Sequence, residues 1–302
     1  MSPKYEKLFD EEIKEFIRIS ETFPQEHLGE AVEKLRHNYN EMVKYFRQVR
    51  PPNIKVEDKK VAFKERSLIY RQYSKGTDNK SDLIYFHGGG FVVGGLESHD
   101  DICAEICEST GCNVFSLDYS LAPEVKYPEF FLDAIRFYYF IKNPERRLIL
   151  VGDSAGGTLA GFVANKVRNV SIRPEAQVLI YPDLAGEISR ANKRRFYDAP
   201  LLTQDDIDFY HKCAGLPLKM GLHDLIRNFN NDNMPKTLLV SAEIDPLADD
   251  CQSYVESLKQ YGCDITYLEG LGLPHGFLRA RHLSKKARIV FDEIIRFINQ
   301  TI

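Results

Sequence analysis

The chain has 302 residues, a length that one α/β domain can fill, and 43% of them are hydrophobic, which suits a globular protein with a sizeable core. The formal charge is −4 and neither sign dominates a long segment, so nothing in the composition favours nucleic-acid binding. The first residues lack the apolar core of a secretory signal, and no apolar run is long enough to span a bilayer; the sequence therefore predicts a cytoplasmic protein without a membrane span.

Two amphipathic helices are predicted between residues 5 and about 48. Pro24 separates them, and Pro51 and Pro52 close the unit. The apolar positions are Leu8, Ile13, Phe16 and Ile17 in the first helix and Leu28, Val32, Leu35, Tyr39, Met42, Val43 and Phe46 in the second. The next segment, 54–73, alternates less regularly and indicates an antiparallel edge of a sheet.

From about residue 53 onward, short apolar runs alternate with helical patterns. The runs interpreted as strands are 83–86, 114–117, 148–151, 178–180, 238–240 and 264–268. Apolar residues at helical spacing lie at 154–167, 251–261 and 290–298. Alternation of this kind predicts a mostly parallel sheet that is covered by helices on both faces.

Six cysteines are spread along the chain. Cys103 and Cys107 are four residues apart in a helical stretch, and Cys112 lies just beyond it, but no histidine or further ligand clusters with them in sequence. We interpret all six as buried free thiols and predict neither a metal site nor a cofactor.

The pattern Gly152-x-Ser154-x-Gly156 is typical of a nucleophile elbow, although it also occurs by chance in loops. A serine hydroxyl is a weak nucleophile at neutral pH and needs an exposed position and a nearby base. A sharp strand-to-helix turn would expose Ser154, and glycine at 152 and 156 would relieve crowding there. The strand pattern before the motif and the helix pattern after it fit such a turn.

Gly88, Gly89 and Gly90 follow the strand-like run 83–86 and so lie at a strand end, where sites lie in open α/β sheets. Without a Cβ, their backbone can approach a substrate closely and offer N–H donors to the negative oxygen of an acyl-transfer intermediate. The N–H of Ala155, after the candidate nucleophile, is expected to be a further donor. A Walker-type phosphate loop would need Gly-Lys-Ser/Thr, which is absent here.

Asp245 and His275 are the candidate acid and base. In folds with such an elbow, an acid and then a histidine follow the serine along the chain. Asp245 comes just after the run 237–240, and His275 follows the strand-like 264–268 and a predicted glycine- and proline-rich loop at 270–274. Three other acids compete with Asp245, namely Glu243, Asp249 and Asp250. We favour Asp245 because it lies where the strand should end, and a buried aspartate there would hold the histidine tautomer.

These motifs resemble those of the hormone-sensitive-lipase-like branch of the α/β-hydrolases, and most closely those of bacterial acetyl esterases. They are His-Gly-Gly-Gly at 87–90, Gly-Asp-Ser-Ala-Gly-Gly at 152–157, Asp-Pro-Leu at 245–247 and His-Gly-Phe at 275–277. The segment 118–124 also matches, with Ser120 where arginine is more usual. The resemblance spans about residues 50 to 300 and implies an α/β-hydrolase fold with a mostly parallel central sheet and a helical cap.

By position, the resemblance implies a catalytic triad of Ser154 as nucleophile, Asp245 as acid and His275 as base. It implies that the oxyanion is held by the amides of Gly89, Gly90 and Ala155. Supporting residues that fix the loop geometry would be His87, Gly88 and Asp153.

The resemblance also implies one domain over residues 1–302, with a cap formed by about 1–50 and an insertion at about 183–230. A helix is predicted in the insertion from Thr203 to Cys213, where Thr203 and Asp206 resemble a capping pair. A basic cluster in the insertion comprises Arg190, Lys193, Arg194 and Arg195. We interpret it as a solvated surface, with steering of an anionic substrate or contact with a protein as the alternatives.

Together these features predict a serine carboxylesterase that works through an acyl-enzyme, and the resemblance implies that its substrates are small esters with short acyl chains. One alternative is an arylformamidase or amidase on the same triad, although arylformamidases usually carry an aromatic residue where Gly90 stands. Another is an esterase with a second role in binding a regulator protein; receptor-type relatives typically lose the base, whereas His275 is present. The predicted partner is a small-molecule ester, and a homo-oligomer is left open.

Overall fold

A sheet of eight strands forms the centre of the computed structural model, which describes residues 3–23, 32–64, 66–76, 80–184, 195–217, 221–227 and 233–302. The strands are β1 Lys55–Ala62, β2 Ser67–Ser74, β3 Ser81–Phe86, β4 Asn113–Asp118, β5 Arg147–Asp153, β6 Ala176–Ile180, β7 Lys236–Ile244 and β8 Ile265–Pro274. Their order across the sheet is β1-β2-β4-β3-β5-β6-β7-β8.

The strand pairing confirms the predicted mostly parallel sheet. Strands β1, β2 and β4 pair antiparallel, so the edge expected over residues 54–73 is confirmed. All pairs from β4 through β3 to β8 are parallel. Because parallel strands end at the same edge of a sheet, the residues that follow β3, β5, β7 and β8 meet there.

Helices cover both faces of the sheet, as predicted. They are α1 Pro3–Glu6, α2 Glu11–Ser20, α3 Val32–Phe46, α4 Asp100–Thr110, α5 Glu129–Ile141, α6 Ala155–Val167, α7 Gln204–Ala214, α8 Ala248–Gln260 and α9 Lys285–Thr301, with a 3₁₀ helix at Phe277–Ala280. Alternate residues of β3 enter opposite cores: Leu83 and Tyr85 pack with α4 and α9, and Ile84 and Phe86 pack with α5 and α6.

The first N-terminal helix differs from its predicted pattern. Leu8 was expected on its apolar face, but this side chain is 44% exposed. The reason is that α2 begins only at Glu11, where the Asp10 side chain accepts a hydrogen bond from the Ile13 amide and caps the helix. Pro24 and Leu28 lie outside the described residues.

Strand β8 is longer than predicted. The prediction of a loop at 270–274 is wrong, because these residues belong to the strand. Gly270 and Pro274 continue the pairing with β7, opposite Ala242 and Ile244, through a register shift. The glycines do not end the strand because β7 runs alongside it; Gly272 takes φ +67° within it. His275 is therefore held at a strand end.

The predicted insertion helix is confirmed as α7. Its N-cap, Thr203, accepts a hydrogen bond from the Asp206 amide, and the Asp206 carboxylate accepts one from the Thr203 amide. In the basic cluster of the insertion, Arg190, Lys193 and Arg194 lie outside the described residues.

The six cysteines are all free thiols, and four of them are buried. Cys213 and Cys263 are only half-buried, so the prediction of burial is wrong for these two. In the described part of the chain, no helix has both the length and the apolar character that a bilayer crossing requires.

Arg281 holds the segment after His275 against α4, and its loss should destabilise the protein. Its side chain is 2% exposed and donates to Asp101 over 2.5 Å and to Glu105 over 2.7 Å. Removing Arg281 would leave the buried Asp101 carboxylate without this ion-pair partner. We therefore expect Arg281→Met to lower the free energy of unfolding, measured in urea, by about 3–5 kcal/mol. The control is Arg18→Met, which breaks an exposed pair with Glu15. Equal effects of the two substitutions would contradict this account.

Candidate active site

Ser154 occupies a sharp turn between β5 and α6. Its backbone has φ +53° and ψ −125°, a strained conformation for a residue with a side chain. A Cβ at Gly152 would lie 2.2 Å from the Gly156 carbonyl oxygen, and one at Gly156 would lie 2.0 Å from that of Phe86. Only glycine allows the turn to sit this close to the end of β3, and the Ser154 side chain lines a cavity above it.

The structure brings Ser154, His275 and Asp245 into one hydrogen-bonded chain. The Ser154 Oγ lies 3.0 Å from His275 Nε2, and His275 Nδ1 lies 2.6 Å from Asp245 Oδ2. Because a carboxylate can only accept, Nδ1 carries the proton and Nε2 is left to accept from the serine hydroxyl. Asp245 is 2% exposed, and its Oδ1 accepts from the Leu247 amide over 2.9 Å.

The three competing acids lie elsewhere. The Glu243 carboxylate accepts from the Gly272 amide over 2.7 Å and so supports β8. Asp249 is exposed and accepts from the Arg195 amide over 3.2 Å. Asp250 lies within α8. The carboxylate that His275 contacts is that of Asp245.

Three residues that line the cavity beside Ser154, namely Gly89, Gly90 and Ala155, carry backbone amides that can donate. Within the described part of the chain they donate to no acceptor, so they are available to an oxygen of a bound ligand. Gly89 has φ +128°, and a Cβ there would lie 2.1 Å from the Val93 carbonyl oxygen. At Gly90 a Cβ would lie 2.4 Å from the ring of Tyr210 in α7.

Asp153, next to Ser154 in the chain, holds the glycine loop in place. Its Oδ1 accepts from the Gly88 amide over 3.0 Å and from the Tyr85 hydroxyl over 2.8 Å, and its Oδ2 lies 3.2 Å from His99 Nε2. Burial favours a higher pKa for Asp153, but His99, Arg279 and the Tyr85 hydroxyl hold it well below its usual range. The sequence motifs missed His99, because the residue stands at the start of α4 outside any of them.

His87 supports the loop from behind as a neutral ring. It is fully buried and stacks on Tyr119, with 4.2 Å between ring centroids. Burial, aided by nearby His99, lowers the pKa of His87 to about 3. Its Nδ1 lies 2.9 Å from the Gly88 carbonyl oxygen, and a neutral ring can donate this hydrogen bond while remaining uncharged.

The cavity in front of Ser154 has a volume of about 810 Å³, within the usual range for small-molecule sites. Elements of both predicted cap segments line it, with Phe16 from α2, Tyr39 and Met42 from α3, and Tyr210 from α7. Sequence reasoning missed two polar features of its wall. One is the buried contact of His211 with Asp183, and the other is Arg279.

The comparisons with known proteins agree with this architecture. A family model described as the α/β hydrolase fold matches residues 83–279. The chain is 32% identical to ethyl acetate hydrolase of Pseudomonas putida over 68% of each chain, and 31% identical to acetyl esterase of Salmonella paratyphi A over 74% of this chain and 72% of that one. A solved esterase of Pyrobaculum calidifontis superposes with a TM-score of 0.84 at 26% identity, covering 94% of this chain and 97% of that chain. These similarities confirm the resemblance predicted from the motifs.

The neutral, buried state of His87 predicts a loss of stability in acid. Its pKa is about 3 when folded and about 6.5 in an unfolded chain, so below pH 6.5 the unfolded state binds a proton that the folded state does not. From this site alone, stability should fall by about 2 kcal/mol between pH 7.5 and pH 5. Urea unfolding at both pH values should show that His87→Gln loses correspondingly less unfolding free energy between pH 7.5 and pH 5 than the wild type. His37→Gln, at an exposed position, is the control. An undiminished loss in His87→Gln would refute the assignment.

Proposed function

Since this chain belongs to the α/β-hydrolase family and is a carboxylic ester hydrolase, we propose that it is a serine esterase with Ser154 as nucleophile, His275 as base and Asp245 as acid. The supporting observation is the hydrogen-bonded chain from Ser154 Oγ through the His275 ring to Asp245, at distances of 3.0 Å and 2.6 Å. A nucleophile, a base within reach and a group that orients the base are what covalent acyl transfer requires.

In the proposed first half-reaction, Ser154 Oγ attacks the ester carbonyl carbon while its proton moves to His275 Nε2. The carbonyl oxygen becomes negative and accepts hydrogen bonds from the amides of Gly89, Gly90 and Ala155. Loss of one such donor typically costs about 2.7–4 kcal/mol of transition-state stabilisation, so these donors supply a large part of the rate enhancement. The Asp245 carboxylate stabilises the imidazolium that forms.

The intermediate then collapses, and the His275 imidazolium gives its proton to the leaving alcohol. The acyl group stays bonded to Ser154 as an ester. In the second half-reaction a water molecule gives its proton to His275 as it attacks this ester. Collapse returns the proton to Ser154 and releases the carboxylic acid.

For the substrate, we propose small esters with short acyl chains. The support comes from two relatives, whose names state activity on ethyl acetate and acetyl esters. The cavity of about 810 Å³, bounded by side chains such as Phe16 and Met42, has room for more than an acetyl group. We therefore place the acyl limit above acetyl.

A chain-length series tests this limit. We expect 4-nitrophenyl esters from acetate to hexanoate to be hydrolysed with kcat/KM within about tenfold of each other, and laurate to fall well below them. The physical reason is that added methylene groups strengthen binding in an enclosed cavity only until the cavity is filled. A kcat/KM that is highest for laurate would contradict the proposed substrate class.

Substitutions in the triad test the mechanism. Ser154→Ala and His275→Ala should each lower kcat by several orders of magnitude, and Asp245→Asn by about 10⁴-fold through loss of the correct histidine tautomer. The measurement is release of 4-nitrophenol from the acetate ester. Ser253→Ala, an exposed serine of α8, is the matched control and should keep wild-type turnover.

Near-normal turnover in Ser154→Ala would refute the proposed nucleophile. Assaying a formanilide beside the acetate ester on the wild-type protein separates the amidase alternative from the esterase. A kcat/KM that is higher for the formanilide would favour the amidase.

A further inference from the structure

Arg279 places an enclosed positive charge in the wall of the active-site cavity. It lies four residues after His275, in the 3₁₀ helix Phe277–Ala280. Its Nη1 donates to the Ser98 carbonyl oxygen over 3.0 Å and its Nη2 donates to the Tyr39 hydroxyl. The guanidinium carbon also lies 5.0 Å from the centroid of the Tyr39 ring. All of these partners are neutral.

This guanidinium lacks a close counter-ion in the described part of the chain, where no carboxylate oxygen comes within 4.0 Å of it. Other enclosed arginines have such partners; Arg281 has two carboxylates and Arg71 has three. Burial alone would lower the pKa of Arg279, but Tyr39 and Asp153 raise it, so the side chain stays charged. An enclosed charge without a paired ion costs free energy that a ligand anion can recover.

The carboxylates that line the same cavity either make other contacts or lie exposed at the surface. Three have hydrogen-bond partners of their own: Asp153 with His99, Asp183 with His211, and Asp206 with Thr203. The other two, Glu21 and Asp205, are exposed at the surface. Asp153 acts on Arg279 only through its longer-range charge, and in the described part of the chain none of these carboxylates makes a hydrogen bond or ion pair with the guanidinium.

We propose that Arg279 binds a carboxylate carried by the acyl part of the substrate, so that the protein acts on half-esters of dicarboxylic acids. One carboxyl group is esterified and lies at Ser154, and the other is ionised and pairs with the guanidinium. Hydrolysis adds the hydroxyl of water to the acyl carbon and its hydrogen to the alcohol, and it releases the dicarboxylate. The planar guanidinium suits a carboxylate because it can donate two parallel hydrogen bonds. This inference rests on the proposed function of Ser154.

The test compares two esters that differ in one charge. Mono-4-nitrophenyl adipate carries a free carboxylate, and methyl 4-nitrophenyl adipate is its neutral twin. We expect wild-type kcat/KM to favour the charged ester, and Arg279→Met to lower the charged-to-neutral ratio at least tenfold. Arg279→Lys, which keeps the charge but loses the paired donors, should lower it less. Arg36→Met, at an arginine that pairs with Glu124 outside the cavity wall, should leave it unchanged.

The charged-to-neutral ratio of kcat/KM distinguishes carboxylate binding by Arg279 from a structural role of this residue, because a structural role would slow hydrolysis of both esters equally. An equal ratio in wild type and Arg279→Met would overturn the inference. If Arg279→Met does not fold, inhibition of the wild type decides: adipate should inhibit more strongly than the neutral adipamide, and equal inhibition would overturn it. Wild-type turnover of the neutral ester without a charge preference refutes this inference alone. Failure to hydrolyse either ester refutes the proposed function.

Discussion

The close approach of the Ser154 turn to the end of β3 is the constraint on which the rest of the site depends. The turn holds Ser154 in a strained backbone conformation between β5 and α6. Because residues 152 and 156 are glycines, backbone carbonyl oxygens can occupy the space that a Cβ would fill at each of them. The strain is tolerated because β5 is paired on both sides and α6 is buried beneath the turn. Parallel pairing then carries Asp245 and His275 to the same edge of the sheet.

Buried polar groups join the turn to the glycine loop. The Asp153 carboxylate, next to Ser154 in the chain, accepts from the Gly88 amide, so the position of the candidate oxyanion donors follows that of the candidate nucleophile. On the far side of the loop, His87 stacks on Tyr119, whose hydroxyl donates to the His87 carbonyl over 2.8 Å. Their surroundings keep Asp153 charged and His87 neutral. Hydrogen-bond donors and positive charge around Asp153 lower the pKa of its carboxyl group, whereas burial lowers the pKa of the His87 ring.

The walls of the cavity come from segments that lie outside the alternation of strands and helices. Tyr210 of α7 packs over Gly90, and Tyr39 of α3 contacts Arg279 in the segment that follows His275. Side chains of the cavity wall are thus tied to the segment that follows His275. The cytoplasmic location and the cap boundaries stay predictions, and the homo-oligomer and the regulator contact stay open.

Sequence alone determined the parallel sheet and the order of the three motif residues, because strand periodicity and a glycine-spaced turn are local properties of the chain. The sequence favoured Asp245 over Glu243 by its place at the strand end. Only the coordinates show that Asp245 contacts His275 while Glu243 accepts from the Gly272 amide, because the fold decides where each side chain points. The extension of β8 through two glycines was decided by its pairing with β7. His99 and Arg279 belong to the site through contacts between distant segments, which no local pattern encodes; only tertiary packing decided that they face Asp153 and the cavity.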